Sequence, residues 1–274
     1  MSGEHECDRG RAGPVKAKSA QRVHPPPPRP VRSRAFKRYP RRRSGDWVES
    51  TPSREHLPVA QRMEESIVIS STLSKLPIIG REQQEDVLRM VPGDLIPVLR
   101  QADVDFVLAG AHGLGGWMVQ SRATQDVDFI IRIKDSSRAA DAILKKFPRF
   151  ELQKNPEVWR FGQDGQWLVD LILTRAPLFK RVINEYKEIH INKRLVKVPN
   201  LEAALAMKFA SMVGHYRPGL KKMQDAVDFS SLLQANKVVD LKLLRELGEL
   251  VFSGGGDNLL QCVEDVRAGR TLEI

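Results

Sequence analysis

Apolar and polar positions divide this chain near residue 60. Before that point apolar residues are few and scattered; after it they recur with the periods of regular structure. Leu95, Val98 and Leu99 mark one stripe of a helix over about 94–102, opened by Pro92-Gly93-Asp94. Val104 to Ala109 reads as the first core strand. Gly110 then turns the chain, a helix covers 111–120, and Val127 to Ile133 forms a second strand. Ser136 N-caps a helix running to Phe147, which Pro148 stops. Short strands near 150–153 and 158–162 are followed by a turn at Gln163-Asp164-Gly165. Leu168 to Thr174 is apolar on both faces apart from Asp170, the mark of a strand inside a sheet. Residues 188–198 alternate around a hairpin turn at Asn192-Lys193. Helices are expected over 201–215, 219–235 and 240–252, with Ser253-Gly254-Gly255-Gly256 breaking the last. Residues 64–80 carry only weak strand character. The order predicts a mixed-sheet α/β (α+β) core with helices, followed by a helical C-terminal part.

Composition sharpens the division. Of 44 basic and 34 acidic residues, the first 62 hold 15 and 6, a balance of +9 out of a net +10. The remaining chain, with 29 and 28, is nearly neutral, so the high pI says nothing about nucleic-acid binding by the core. With Pro25–Pro28, Arg41–Arg43 and little apolar surface, residues 1–62 read as a disordered basic tail. Such a tail serves as a solvated extension, an arm on nucleic-acid phosphates or a polyproline ligand. Met63 is a second candidate initiator. Residues 63–92 read as a linker or extra element, 93–200 as the core and 201–274 as the helical part. Cys7 and Cys262 have neither metal nor disulfide spacing. No run approaches the roughly 18 apolar residues of a membrane span, and no secretory signal is visible, so the expectation is a cytoplasmic protein without membrane contact.

The candidate chemistry lies in three carboxylates. Asp126 and Asp128 are two apart at the start of a strand and so share a face, where they repel unless a cation intervenes. Asp170 interrupts a buried run, which costs several kcal/mol, roughly, unless it is paired or metal-bound. A hard ion such as Mg²⁺ or Mn²⁺ suits oxygen ligands of this kind. The alternatives are a solvated strand start for the first two, and for Asp170 a base contributed from elsewhere. Gly110 would let backbone amides approach phosphate, or simply turn the chain. Lys208 lies on the apolar stripe of Leu201, Leu205 and Met212, and either snorkels or enters a cleft. Asp225 has Lys221 four residues before it as a local partner.

Gly110-Ala111-His112-Gly113 followed by Arg122-Ala123-Thr124-Gln125-Asp126-Val127-Asp128 resembles the nucleotidyltransferase superfamily, and within it the AbiEii-type branch, often the toxin half of toxin–antitoxin pairs. Lys222-Met223-Gln224-Asp225-Ala226-Val227-Asp228-Phe229 is similar to that branch's distal block, with Gln224 in place of its second base. Ala111 replaces the second glycine of the first block. The resemblance covers about residues 85–240. It implies catalytic, metal-binding Asp126, Asp128 and Asp170, with Gly110, Ala111, Arg122, Thr124, Lys208 and Asp225 around a nucleoside triphosphate such as ATP. It further implies transfer of a nucleotidyl group to an acceptor hydroxyl, with RNA, particularly a tRNA 3′ end, as one acceptor and a cognate antitoxin as a partner. Two alternatives share these residues: a degenerate nucleotide- or RNA-binding protein, and a small-molecule, antibiotic-type nucleotidyltransferase.

Overall fold

A computed structural model describes residues 57–73, 90–118, 120, 124–191 and 194–272. Its centre is a five-stranded mixed sheet in the order β1-β2-β5-β4-β3. β1 is Phe106–Leu108, β2 Val127–Ile131, β3 Glu151–Lys154, β4 Val158–Gln163 and β5 Gln166–Leu173. Only β2 and β5 run parallel; the other three pairings are antiparallel. β2 is flanked on both sides, which explains why Phe129, Ile130 and Ile131 are fully buried and why its sequence is nearly continuous in apolar residues. The expected turn closes β4 on β5: Asp164 and Gly165 both take positive φ (53° and 75°), the two-residue geometry that favours Asp-Gly.

α2 (Pro92–Gln101) and α4 (Ser136–Lys146) pack together through Leu95, Leu99, Ala139 and Ile143. Ser136 is the first helical residue rather than the cap, which is Asp135. A hairpin of β6 (Tyr186–Ile191) and β7 (Arg194–Pro199) packs beside β1; the turn expected at 192–193 lies outside the described residues.

Four elements depart from the sequence reading, the last helix below among them. Where residues 64–80 carried a weak strand signal, 64–73 belong instead to helix α1, Val59–Leu73, which begins inside the stretch read as tail. Residues 74–80, and the tail before residue 57, lie outside the described residues. Met63 and Ser66 of α1 lie against Gly115 and Gly116, where a Cβ would come within 2.7 Å of Met63 Cβ and 1.8 Å of Ser66 Oγ. The helix expected over 111–120 is the shorter α3, Gly110–Leu114, which ends before these two glycines; their lack of side chains leaves room for α1. A short helix, α5 (Pro177–Val182), was not anticipated after β5.

The C-terminal part is built on α6 (Leu201–Val213), buried almost continuously from Ala203 to Phe209. Each fully buried Leu or Phe there contributes about 2 kcal/mol. Asn200 caps it, its side chain accepting from the Ala203 amide at 2.8 Å. α7 (Gly219–Ala235) and α8 (Leu241–Glu249) pack on α6, and α9 (Gly255–Arg267) folds back on α8. α8 ends at Glu249, with Leu250 as its C-cap, before the glycines are reached; Gly255 and Gly256 instead start α9, a helix the sequence reading did not expect, which packs closely across Gly248. Among the described residues no helix is long and apolar enough to cross a membrane.

Candidate active site

Strand pairing brings the predicted acids together. β2 and β5 place Asp128 directly opposite Asp170. Residues in register on neighbouring strands share a face of the sheet. Asp126 precedes β2 by one residue and points to the same side as Asp128 by the two-residue period. Its charge is felt at Asp170. Thr124 Oγ1 donates to Asp126 Oδ1, which fixes that carboxylate.

Gly110 sits against this pair. It opens α3 (Gly110–Leu114) with φ +56°, and a Cβ there would fall 1.7 Å from Asp128 Oδ2. The Ala109 amide donates to the Asp128 carbonyl at 2.8 Å, holding the β1–α3 turn on β2. Ala111, the next residue, is buried. Both the backbone conformation and the space therefore require glycine at 110.

Asp170 is the strained member. Its Oδ1 is buried with no hydrogen-bond partner. Its Oδ2 lies 3.4 Å from Nε of Arg160, the residue directly across on β4. At that separation the contact is charge attraction more than a directed hydrogen bond. Burial pushes the Asp170 carboxyl above the usual carboxylate range; Arg160 pulls it down, Asp126 pushes it up and Lys221 pulls it down.

Two features bear on a divalent ion. The orphaned Oδ1 and the paired strand register offer oxygen ligands on one face, with the Gly110 backbone pressed against Asp128. Yet among the described residues no three His, Cys, Asp or Glu converge as a ready-made cage, so the expected three-acid ligand set is not preassembled. Mg²⁺ commonly takes one or two carboxylates and completes its shell with phosphate and water. The residues fit an ion of that kind, held by these carboxylates with phosphate or water completing its shell.

Lys208 and Asp225 form a separate buried cluster. Lys208 Nζ donates to Asp225 Oδ1 at 2.9 Å and to Asp228 Oδ2 at 2.6 Å. Arg217 Nε donates to Asp225 Oδ2, and Gln224 Nε2 to Asp228 Oδ1 at 3.0 Å. Asp225 therefore pairs across to α6 and to the α6–α7 turn, not with Lys221 as its spacing suggested. The four charges cancel, which makes their burial tolerable. Arg122, expected beside the triphosphate, lies outside the described residues.

Sequence reasoning missed Arg160 and Lys221. Arg160 lies in the alternating run Val158-Trp159-Arg160-Phe161, but strand order, which no local pattern reveals, sets it opposite Asp170. Lys221 shares a helix face with Asp225 and was read as its partner. A shallow basin of about 480 Å³ lined by Arg100, Arg132, Arg138 and Asp105 lies at the other end of β1 and β2. Within it Arg138 donates to Asp135 Oδ1 at 2.6 Å and Arg132 lies 3.9 Å from Asp105, to which Lys197 donates from outside at 2.7 Å.

No family model matches the chain, and no curated protein matches its sequence. Solved structures do resemble it. An antigenic nucleotidyltransferase-like protein from Paracoccidioides brasiliensis aligns with 75% of this chain and 91% of its own, at 18% identity and TM-score 0.43. The antibiotic-resistance factor ANT(2'')-Ia aligns over 65% and 95%, at 11% identity and TM-score 0.43. The lincosamide antibiotic adenylyltransferase LnuA, lincomycin-bound, aligns over 53% and 99%, at 13% identity and TM-score 0.38. Similarity at this level does not assign a family.

Proposed function

We propose that this protein is a divalent-metal-dependent nucleotidyltransferase that moves a nucleotidyl group from a nucleoside triphosphate to an acceptor hydroxyl. The observation that carries the reading is the register of Asp128 and Asp170 on parallel strands, with an orphaned carboxylate oxygen on one and a glycine turn pressed on the other. The sequence pattern Arg122-Ala-Thr-x-Asp126-x-Asp128 supports it, and extends the reading to an AbiEii-type protein.

Asp126, Asp128 and Asp170 would hold Mg²⁺ or Mn²⁺, which when bound neutralises charge on the phosphates. Thr124 keeps Asp126 oriented. The turn at Gly110 and Ala111 would present backbone amides to the triphosphate, with Arg122 adding charge. Lys208 and Asp225 enter this scheme as supports of α7 through their mutual ion pair. The acceptor oxygen attacks the α-phosphorus in line; a new P–O bond forms as the bond to the β-phosphate bridge breaks, and pyrophosphate leaves. Asp170 would also help to deprotonate the acceptor hydroxyl as that oxygen attacks.

RNA, particularly a tRNA 3′ end, is the acceptor the resemblance implies, with a protein hydroxyl or a small molecule as equal alternatives; the same resemblance implies a cognate antitoxin. A second reading, a nucleotide- or RNA-binding protein without chemistry, draws on the Arg160–Asp170 ion pair and on the acids not being preassembled. One experiment separates them. Full-length protein is incubated with Mg²⁺, each α-labelled triphosphate, and cellular RNA, cellular protein extract or small-molecule acceptors, beside the Asp128→Ala variant. Label transferred by wild type and lost in the variant supports the enzyme. Triphosphate binding without transfer to any acceptor overturns it.

A further inference from the structure

Arg160 is half-exposed, yet its guanidinium leans on one oxygen of a carboxylate whose other oxygen is buried without a partner. The two residues are fixed face to face by the β4–β5 ladder, where Trp159 pairs Leu171 and Phe161 pairs Val169 on either side. Phe161, Val169 and Leu171 are fully buried, so neither strand can slide to break the alignment. An ordinary structural ion pair satisfies both carboxylate oxygens or leaves the spare one in water. Here the spare oxygen is buried on the face that Asp170 shares with Asp128.

We propose that Arg160 is a positioning residue for the metal site: its charge, 3.4 Å away, holds Oδ2 of Asp170 to its own side, so that Oδ1 is the oxygen offered to a divalent ion. The inference rests on the metal-dependent reading above. Arg160 has two effects of opposite sign. Its fixed positive charge opposes any cation on the acids, and its anchoring directs Asp170 to a single-oxygen geometry. Removing it therefore tightens the ion while spoiling the geometry for transfer. A residue that merely stabilised the sheet would give losses in both.

The test uses full-length wild type, Arg160→Met, Arg160→Lys and the Asp126→Ala/Asp128→Ala double variant. Mn²⁺ binding without nucleotide is followed by the loss of the free-ion electron paramagnetic resonance signal, and fold by circular dichroism. Arg160→Met is expected to bind Mn²⁺ about fivefold more tightly. Arg160→Lys, keeping the charge without the guanidinium's reach, is expected to bind it as wild type does. Both are expected to lose about tenfold or more in kcat, with KM for the triphosphate within about threefold of wild type. Unchanged or weaker Mn²⁺ binding by folded Arg160→Met overturns the role of Arg160. If the double variant loses Mn²⁺ while Arg160→Met binds as wild type does, only the role of Arg160 falls. If the double variant binds Mn²⁺ like wild type, the metal site is elsewhere and both readings fall together.

Discussion

Substituting Gly110 with Ala tests the site through one added carbon. The new Cβ would sit 1.7 Å from Asp128 Oδ2 and 2.7 Å from its Cγ. Since non-bonded carbon and oxygen rest near 3.5 Å, the carboxylate or the turn must move by about 2 Å. The left-handed backbone at φ +56° adds roughly 1–2 kcal/mol of strain for a residue with a Cβ. A displacement of about 1 Å in a reacting constellation costs on the order of 10²-fold, so transfer by Gly110→Ala should fall at least that far. Gly165→Ala supplies the control: its φ is +75°, with nothing within 4 Å of the new Cβ. It carries the same kind of strain, a Tm lower by about 2–4 °C per kcal/mol, and full transfer. The pair is assayed by label transfer and thermal melting. Gly110→Ala retaining transfer within about threefold of wild type would refute the placement of Gly110 against a working Asp128.

Three further outcomes follow from the described contacts. Lys208→Met removes the ammonium between two buried carboxylates and should cost about 3–5 kcal/mol by denaturant unfolding; a loss below about 1 kcal/mol would show that Arg217 and Gln224 suffice. Asp170→Asn should raise Tm at neutral pH while abolishing transfer. The Asp170 carboxyl is raised in the folded state, so its contribution is fully present below the ordinary aspartate range and lost as pH rises through the raised value; the variant's advantage must shrink on acidification, and a pH-independent Tm difference would contradict the burial argument. Gly116→Ala drives a methyl to 2.7 Å from Met63 Cβ and the Val59 carbonyl, and should cost about 1–3 kcal/mol by thermal melting unless α1 shifts to accommodate it.

Local pattern carried the strands well because burial on both faces leaves a short apolar run that turn residues delimit. β2 and β5 are of this kind, and their acids stood out because nothing else polar shares the run. The pairing of β2 with β5 was not legible: it depends on a crossover through α4, β3 and β4. Arg160 could not be placed for the same reason. α1 was misread because Ser66-Ile67-Val68-Ile69-Ser70 has strand-like composition, while the surface its helix packs on, at Gly115 and Gly116, lies some fifty residues later in the chain. Lys208 illustrates a related limit. A lysine on an apolar stripe suggested snorkelling or a cleft; the third outcome, two carboxylates from the next helix, requires knowing how α7 packs on α6.

The energetics of Asp170 favour chemistry over architecture. At this position in the sheet an apolar residue would satisfy β5 as Leu168 and Ile172 do on the same face, without an orphaned oxygen. Arg160 offsets part of the burial, but its contact is long and its own side chain remains half in water. Asp128 in the next strand adds a second acid on the same face, and Gly110 places the left-handed turn against it. Each feature alone is a small local conflict; three at one end of β2 and β5 are a costly way to build a sheet. Under the proposed function, local rules broken together at one place, while the surrounding core obeys them, are the conflict expected of a site retained at the expense of stability. The Asp170→Asn melt measures that expense directly, and a variant no more stable than wild type at neutral pH would leave the arrangement without this explanation.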